Sequence, residues 1–140
     1  MFTDCYCTQF RRASNALTRI YDEALRPVGL RITQFSLLRA LSRLGEATVT
    51  QLSIEAALDL TTISRNVKLL VESGWVDVLP SGREKVLKLN TLGKNAIQNA
   101  TPHWAEAQSR VEAYMKKFLK TPTNARLLRA LEALQQAADR

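Results

Sequence analysis

The sequence is poor in the residues that build metal centres and active sites. Its 140 residues include two cysteines and one histidine. Cys5 and Cys7 are too close together in the chain for a disulfide between them to stabilise the fold, and two thiols are too few for a structural zinc site. His103 lies far from both cysteines in the chain, and no phosphate-cradling glycine loop accompanies it. We therefore expect no enzyme, no metal site and no cofactor.

Long apolar runs are also absent. No stretch approaches the roughly 18 apolar residues of a membrane span, and the N-terminus lacks a basic segment followed by an apolar core. Apolar residues nevertheless make up 46% of the chain, which is enough to build a core and argues against disorder. We expect a soluble, cytoplasmic protein without membrane contact, folded as one domain or as a domain with a dimerisation extension.

Acidic residues are in deficit, with 13 against 20 basic residues and a net charge of +7. Such an excess favours an anionic partner, most commonly a nucleic acid. Basic and acidic residues balance in the segment 49–90, however, and the excess lies in residues 1–48 and 91–140. The positions of individual side chains, rather than net charge, must therefore locate a binding site.

The segment from Val49 to Asn90 has the order of a winged helix-turn-helix, with two short helices followed by a hairpin. The first helical pattern covers Val49–Leu58, with Thr50 as its expected N-cap, and the second starts at Leu60-Thr61-Thr62, with Thr61 as its expected cap. Three apolar residues of the second helix recur at helical spacing and are expected to face inward: Ile63, Val67 and Leu70.

The opposite face of the second helix is polar. Asn pairs with adenine and Arg with guanine in the major groove, while hydroxyls and ammonium groups suit phosphates. We therefore expect this helix to read duplex DNA through Thr61, Thr62, Ser64, Arg65, Asn66 and Lys68.

A hairpin, or wing, is predicted directly after this helix. Gly74 is expected to end the helix as a left-handed cap, Trp75–Leu79 and Val86–Leu89 to form strands, and Pro80–Gly82 to form the turn. Arg83 and Lys85 lie at the tip of this hairpin, from which we expect them to reach an adjacent minor groove. The alternative is a winged helix that binds only protein.

Amphipathic helices flank this region. The first carries the apolar stripe Phe10, Ala13, Leu17, Ile20 and Ala24, and a second, expected to be capped by Thr33, precedes Gly45. A long stripe runs from Ile97 to Phe118, with Pro102 expected to kink or restart that helix at Thr101. A last helix, capped by Thr123, carries Leu127, Leu131 and Leu134.

These stripes exceed what a winged helix covers, and helix-turn-helix proteins usually read paired half-sites as two-fold dimers. We expect a homodimer on a pseudo-palindromic operator; the alternative is a monomer with a self-contained helical layer.

In this order and spacing, four stretches resemble the MarR family of bacterial transcriptional regulators over essentially the whole chain. They are Gly29–Leu38, Thr61–Val67, Gly74–Val76 and Leu87–Gly93. The resemblance implies a mainly α (α+β) fold, with a winged helix-turn-helix at 31–90 and dimerisation helices at 8–26 and 91–140. It also implies that the first, fifth and sixth helices interleave in the dimer.

Three positions depart from the family pattern. Ser81 replaces an aspartate two residues before Arg83, Val78 replaces a basic residue, and Asn90 replaces the threonine that closes the second wing strand. We therefore expect weaker wing contacts with an unchanged mode of binding.

Regulators of this family respond to small aromatic acids or to thiol oxidation, so two kinds of signal are open. Cationic groups beside aromatic rings suit a carboxylate, which singles out Arg12, Tyr21, Arg39, His103 and Trp104 as a candidate effector site. Alternatively, Trp104 is core and the others are solvated or paired. Cys5 and Cys7, expected just before the first helix, are candidates for oxidation or are incidental. We favour a repressor that a small aromatic acid releases from DNA.

Overall fold

The computed structural model describes residues 4–119 and 124–138. Within these residues the elements follow in order as α1 (Tyr6–Leu25), a 3₁₀ turn (Arg26–Val28), α2 (Ile32–Leu44), β1 (Glu46–Thr48), α3 (Val49–Ala56), α4 (Leu60–Glu72), β2 (Val76–Ser81), β3 (Glu84–Leu89), α5 (Thr91–Leu119) and α6 (Asn124–Ala138). The predicted winged helix-turn-helix with additional N- and C-terminal helices is confirmed. The predicted cap Thr123 and the side chain of Phe118 lie outside the described residues.

The cap of α3 is Thr48, two residues before the threonine that the sequence predicts. The Thr48 hydroxyl accepts the backbone N–H of Gln51 at 3.1 Å, and the Gln51 side chain accepts the N–H of Thr48 at 2.9 Å. This reciprocal pair satisfies two donors that a helix start leaves free. The expectation that Thr50 caps this helix is therefore wrong, because Thr50 already lies inside the first turn.

The start of α2 is held by one side chain from its own first turn and one from α1 rather than by the expected cap Thr33. The Gln34 side chain accepts the backbone N–H of Arg31 at 3.0 Å, and the Asp22 carboxylate accepts the N–H of Ile32 at 2.7 Å. Thr33 lies inside the helix, and its hydroxyl is directed to α4.

The three strands form an antiparallel sheet in the order β1-β3-β2. Pro80 and Ser81 pair with Lys85 and Glu84, so the wing turn consists of Gly82 and Arg83 instead of the predicted Pro80–Gly82. Pro80 is tolerated in this position because β2 is an edge strand.

The core lies between α2, the helix pair α3–α4 and the sheet. The inward positions Ile63, Val67 and Leu70 are buried, as the helical spacing predicts. Other large side chains with almost no exposed surface are Leu25, Phe35, Leu37, Leu38, Leu41, Leu52 and Leu87. This core fixes α4 and the wing on one side of the molecule.

The helix α5 passes through Pro102 without interruption, so the predicted restart at Thr101 is wrong. The Thr101 hydroxyl donates to the carbonyl oxygen of Ile97 at 2.7 Å instead of capping a new helix. Ala100 and Ala107 are fully buried on either side of the proline, and this packing holds the helix despite the missing N–H. No helix in the described part of the chain is long and apolar enough to span a membrane.

Candidate nucleic-acid interface

The first turn of α4 is capped by Asp59, not by the predicted Thr61. One carboxylate oxygen of Asp59 accepts the backbone N–H of Thr62 at 2.8 Å, and the other accepts the Thr62 hydroxyl at 2.8 Å. Both bonds lower the pKa of Asp59, and the bond from the Thr62 N–H has the larger effect. Aspartate is among the best N-cap residues, which explains why the helix begins one residue before Thr61. Thr61 itself is exposed.

Besides Thr61, the outer face of α4 presents the exposed polar side chains of Ser64, Arg65 and Lys68. Lys68 lies 3.9 Å from the carboxylate of Glu72 one turn later, a weak pair on the surface. The hydroxyl of Thr62 is already bonded to Asp59, so the groups this face offers to DNA are the hydroxyls of Thr61 and Ser64, one guanidinium and one ammonium group.

The prediction that Asn66 lies on this outer face is wrong. Asn66 is 9% exposed, and its amide nitrogen donates to the carbonyl oxygen of Thr62 at 2.8 Å. Its amide oxygen accepts the hydroxyl of Thr33 on α2 at 3.3 Å. The amide therefore faces the interior, where it cannot touch a base edge while α4 keeps this orientation.

The end of α4 is closed by Gly74, as predicted. Gly74 adopts a left-handed φ of 75°. Its N–H donates to the carbonyl oxygen of Val71 at 3.0 Å, and the N–H of Trp75 donates to the carbonyl oxygen of Leu70 at 3.2 Å. This is the Schellman motif, which turns the chain sharply after a helix. The turn leads directly into the wing.

Asn90 joins the wing to the start of α5. Its side-chain nitrogen donates to the carbonyl of Gly74 at 2.8 Å and to the Asp77 carboxylate at 3.2 Å, while its side-chain oxygen accepts the N–H of Gly93 at 3.0 Å. A threonine at this position has no second donor and could not make the same set of bonds. The sequence showed the departure at Asn90 but not these partners.

The wing hairpin carries Arg83 and Lys85 at its exposed tip. An open groove of about 490 Å³ lies between α4 and the hairpin, with Lys68 and Lys85 among its lining residues. The structure thus places basic side chains on both sides of one groove. Their arrangement suits a polyanion that contacts helix and hairpin together.

The predicted effector residues are only partly brought together. The guanidinium carbon of Arg39 lies 4.6 Å from the ring centroid of Trp104 and 5.7 Å from that of Phe35. The Tyr21 hydroxyl donates to the side chain of Gln108, and burial, followed by the charge of Glu112, raises the pKa of Tyr21.

Of the remaining two candidates, Arg12 is exposed and His103 is half-buried. Arg39 already stacks on the aromatic surface that a ligand would need.

The cysteines lie at the start of α1. Cys5 is the N-cap residue and Cys7 lies in the first turn, so the expectation that both precede the helix is wrong for Cys7. Hydrogen bonds from Thr8 lower the pKa of the Cys5 thiol, and the bond from its hydroxyl has a larger effect than the bond from its backbone N–H. Arg11 donates to the sulfur of Cys7 at 3.4 Å. Both thiols are exposed.

Comparisons with known proteins agree with this architecture. Residues 28–85 match the MarR family. An uncharacterised HTH-type transcriptional regulator of Bacillus subtilis (strain 168), YwoH, is 31% identical over 88 residues, which span 63% of this chain and 64% of that protein.

Two crystal structures of the M. tuberculosis transcriptional regulator MosR are similar over nearly their whole length. The first is 33% identical with a TM-score of 0.85, covering 99% of this chain and 98% of MosR. The second, MosR in complex with DNA, is 34% identical with a TM-score of 0.83, covering 97% of both chains. These relatives are regulators rather than enzymes. The chain belongs to the MarR family of winged helix-turn-helix transcriptional regulators.

Proposed function

We propose that this protein binds double-stranded DNA as a homodimer and regulates transcription by recognising a specific, pseudo-palindromic operator. The main support for this proposal is the exposed face of α4, with Ser64, Arg65 and Lys68. It lies beside a wing that presents Arg83 and Lys85. The likeness to MosR, which has been crystallised with DNA, supports the same use of this surface.

In this proposal α4 is the recognition helix and lies in the major groove. Arg65 is its guanidinium donor, and a guanidinium pairs with the O6 and N7 atoms of guanine through two hydrogen bonds. Thr61, Ser64 and Lys68 contact the neighbouring phosphates and base edges. Arg83 and Lys85 hold the wing in the adjacent minor groove, where the negative potential is concentrated.

The homodimer is supported by apolar side chains that the described residues leave exposed. Phe10 and Leu17 on α1, Tyr114 on α5 and Leu134 on α6 are exposed hydrophobics outside the winged helix. A two-fold dimer that buries them also supplies two recognition helices, which suits half-sites separated by one turn of duplex.

The decisive experiment starts with selection of bound sequences from random duplex. Binding of Arg65→Ala is then compared on the selected operator and on a mixed-sequence duplex. Loss of one good base contact should weaken operator binding by about 1 to 3 kcal/mol and relax specificity at one position. Lys85→Ala is the matched control, because loss of a phosphate contact weakens both duplexes alike.

The competing function is a winged helix that binds only protein. Neutralising several phosphates releases counterions, so DNA binding must weaken steeply and linearly on a log–log plot as salt increases. If wild-type protein selects no sequence and shows no salt-dependent binding to mixed duplex, the DNA-binding proposal is wrong.

For the signal, the described geometry favours thiol oxidation over the aromatic acid. Cys5 is exposed and stabilised as a thiolate by Thr8, with Cys7 two residues away. Peroxide oxidises the Cys5 thiolate to a sulfenic acid with release of hydroxide, and the Cys7 thiol then displaces water to form a disulfide. An aromatic acid at Trp104 would instead have to share or displace Arg39.

The two signals are separated by a Cys5→Ser, Cys7→Ser double variant. Peroxide should release the wild type from its operator and leave the double variant bound. Benzoate, a minimal aromatic carboxylate, serves as the second arm. Release of both proteins by benzoate with no effect of peroxide on either would favour the effector site at Arg39 and Trp104.

A further inference from the structure

The recognition helix carries a buried amide directly behind its exposed face. In the described part of the chain, Asn66 is the one buried polar side chain, with 9% of its surface exposed. Its oxygen accepts the hydroxyl of Thr33, and its nitrogen donates to the carbonyl of Thr62 one turn earlier. Through these two bonds the amide connects α2 to the N-terminal half of α4.

Packing alone does not explain an amide at this position. Asparagine is a weaker helix former than leucine, and burying a polar group is unfavourable unless it is hydrogen-bonded. A leucine would extend the inward stripe of Ile63 and Leu70 without either disadvantage. What the amide adds is direction, because hydrogen bonds weaken steeply away from linear geometry whereas apolar contacts are non-directional.

Direction matters here because Arg65 is the next residue along the same helix. A roll of α4 by about 10° moves a side-chain atom some 6 Å from the helix axis by about 1 Å. Binding groups have to be held within about 0.5 Å of the productive geometry. A core of apolar side chains tolerates such a roll more easily than a hydrogen bond to a neighbouring helix does.

We propose that the hydrogen bond between Thr33 and Asn66 sets the roll of α4 against α2 and thereby aims Arg65 at its base. Asn66 is a positioning residue that determines sequence specificity without touching DNA. The inference rests on the proposed function, since it concerns how the same DNA-binding surface discriminates between sequences.

Two substitutions remove the bond from opposite sides. Asn66→Leu replaces the amide with an apolar group of similar size, and Thr33→Val removes the hydroxyl while keeping the shape. For each variant, affinity is measured on the selected operator and on a mixed-sequence duplex, together with the thermal unfolding midpoint and the salt dependence. Both variants should bind the operator about tenfold more weakly and the mixed duplex within twofold of wild type.

The double variant Thr33→Val, Asn66→Leu should bind the operator no more weakly than Asn66→Leu alone, because both changes remove one link. Ser73→Ala is the matched control. The Ser73 hydroxyl bonds to the carbonyl of Leu69 at the far end of α4, so its loss should leave the specificity ratio unchanged.

A purely structural role predicts a different pattern, in which the unfolding midpoint falls and both affinities fall together. That pattern, or an unchanged specificity ratio in Thr33→Val, overturns the inference even if Asn66→Leu does not fold. Wild-type protein that binds neither duplex overturns the proposed function and the inference together. Loss of specificity in folded variants with unchanged salt dependence supports the inference alone.

Discussion

At the scale of single residues, the first turn of α1 favours the charged form of one thiol. The Thr8 hydroxyl and N–H stabilise the Cys5 thiolate, so the pKa of Cys5 is lower in the folded chain than in the unfolded chain. The thiolate is the nucleophile, and it forms at lower pH in the folded protein. In Cys7→Ser, alkylation of Cys5 by iodoacetamide should therefore reach its half-maximal rate at a lower pH than in the denatured protein.

Thr8→Val is the control for this prediction, because it removes the hydroxyl that bonds Cys5 and leaves the helix start otherwise intact. The half-maximal pH of the folded Cys7→Ser protein should rise when Thr8→Val is added. Coincident profiles for folded and denatured protein would show that the helix start does not activate Cys5.

Two neighbouring residues of α4 show how far the sequence predicts which side chains are exposed. The chemistry of Arg65 correctly predicts an exposed position. The same reasoning predicts an exposed Asn66, yet Asn66 lies three residues after Ile63 and four before Leu70, which is the spacing of the inward stripe. The signal was present in the periodicity. What the sequence could not provide was the partner, because Thr33 lies on another helix.

At the scale of elements, the start of a helix depends on which of several neighbouring polar residues accepts the free backbone N–H groups. Thr48, unlike Thr50, has a glutamine three residues later, which is the spacing of a capping box, and Thr48 accepts the N–H of Gln51. Thr48→Ala should lower the free energy of unfolding by about 0.5 to 2 kcal/mol. Thr50→Ala, on the exposed side of the same turn, should change it by less than about 0.5 kcal/mol.

Chemical denaturation of the two threonine variants measures both values under the same conditions. A larger loss in Thr50→Ala than in Thr48→Ala would place the start of α3 where the sequence first suggested.

The junction between wing and α5 depends on a close approach at Gly93. A Cβ atom there would lie 2.3 Å from the backbone oxygen of Trp75 and 2.5 Å from a methyl carbon of Leu89. The backbone oxygen cannot rotate away, so Gly93→Ala should destabilise the fold by about 1 to 3 kcal/mol. Lys94→Ala, exposed on the next position of α5, is the control and should remain within about 0.5 kcal/mol of wild type.

Thermal and denaturant unfolding of Gly93→Ala and Lys94→Ala give the comparison. Equal stability of the two variants would mean that the wing and α5 separate without resistance at this point.

Elements whose pattern is local were predictable, while those decided by distant partners were not. The periodicity of α4 and the alternation after Trp75 are local signals. The strand β1 has three residues and exists because it pairs with Val86–Lys88 some 40 positions away. Likewise, Pro102 signals a helix break, but the buried Ala100 and Ala107 on each side keep α5 continuous.

At the scale of the whole molecule, positive charge and exposed apolar side chains occur together on the helices that flank the winged helix. Residues 49–90 are neutral overall, and most of the positive excess lies on the flanking helices at 8–26 and 91–140. Those same helices expose Phe10, Leu17 and Leu134. Like charges on flanking helices oppose their association, so apolar burial has to supply the favourable free energy of a dimer.

This arrangement predicts that a charge on α6 separates the protomers. Leu134 is 55% exposed in the single chain, and Leu134→Arg would force a guanidinium into the apolar interface, where an unpaired charge is strongly unfavourable. Leu44→Arg is the control: Leu44 is 45% exposed but lies at the end of α2, within the winged helix.

Sedimentation equilibrium at micromolar concentration should give wild type and Leu44→Arg about twice the chain mass of 15.7 kDa, and Leu134→Arg a single chain mass. The Leu134→Arg monomer should retain weak binding to mixed duplex and lose its preference for the operator, because it presents one recognition helix instead of two. A wild-type monomer, or a Leu134→Arg dimer with full operator affinity, would show that α6 does not form the interface. Loss of dimerisation together with operator preference would connect the apolar surface of the terminal helix to sequence recognition at α4.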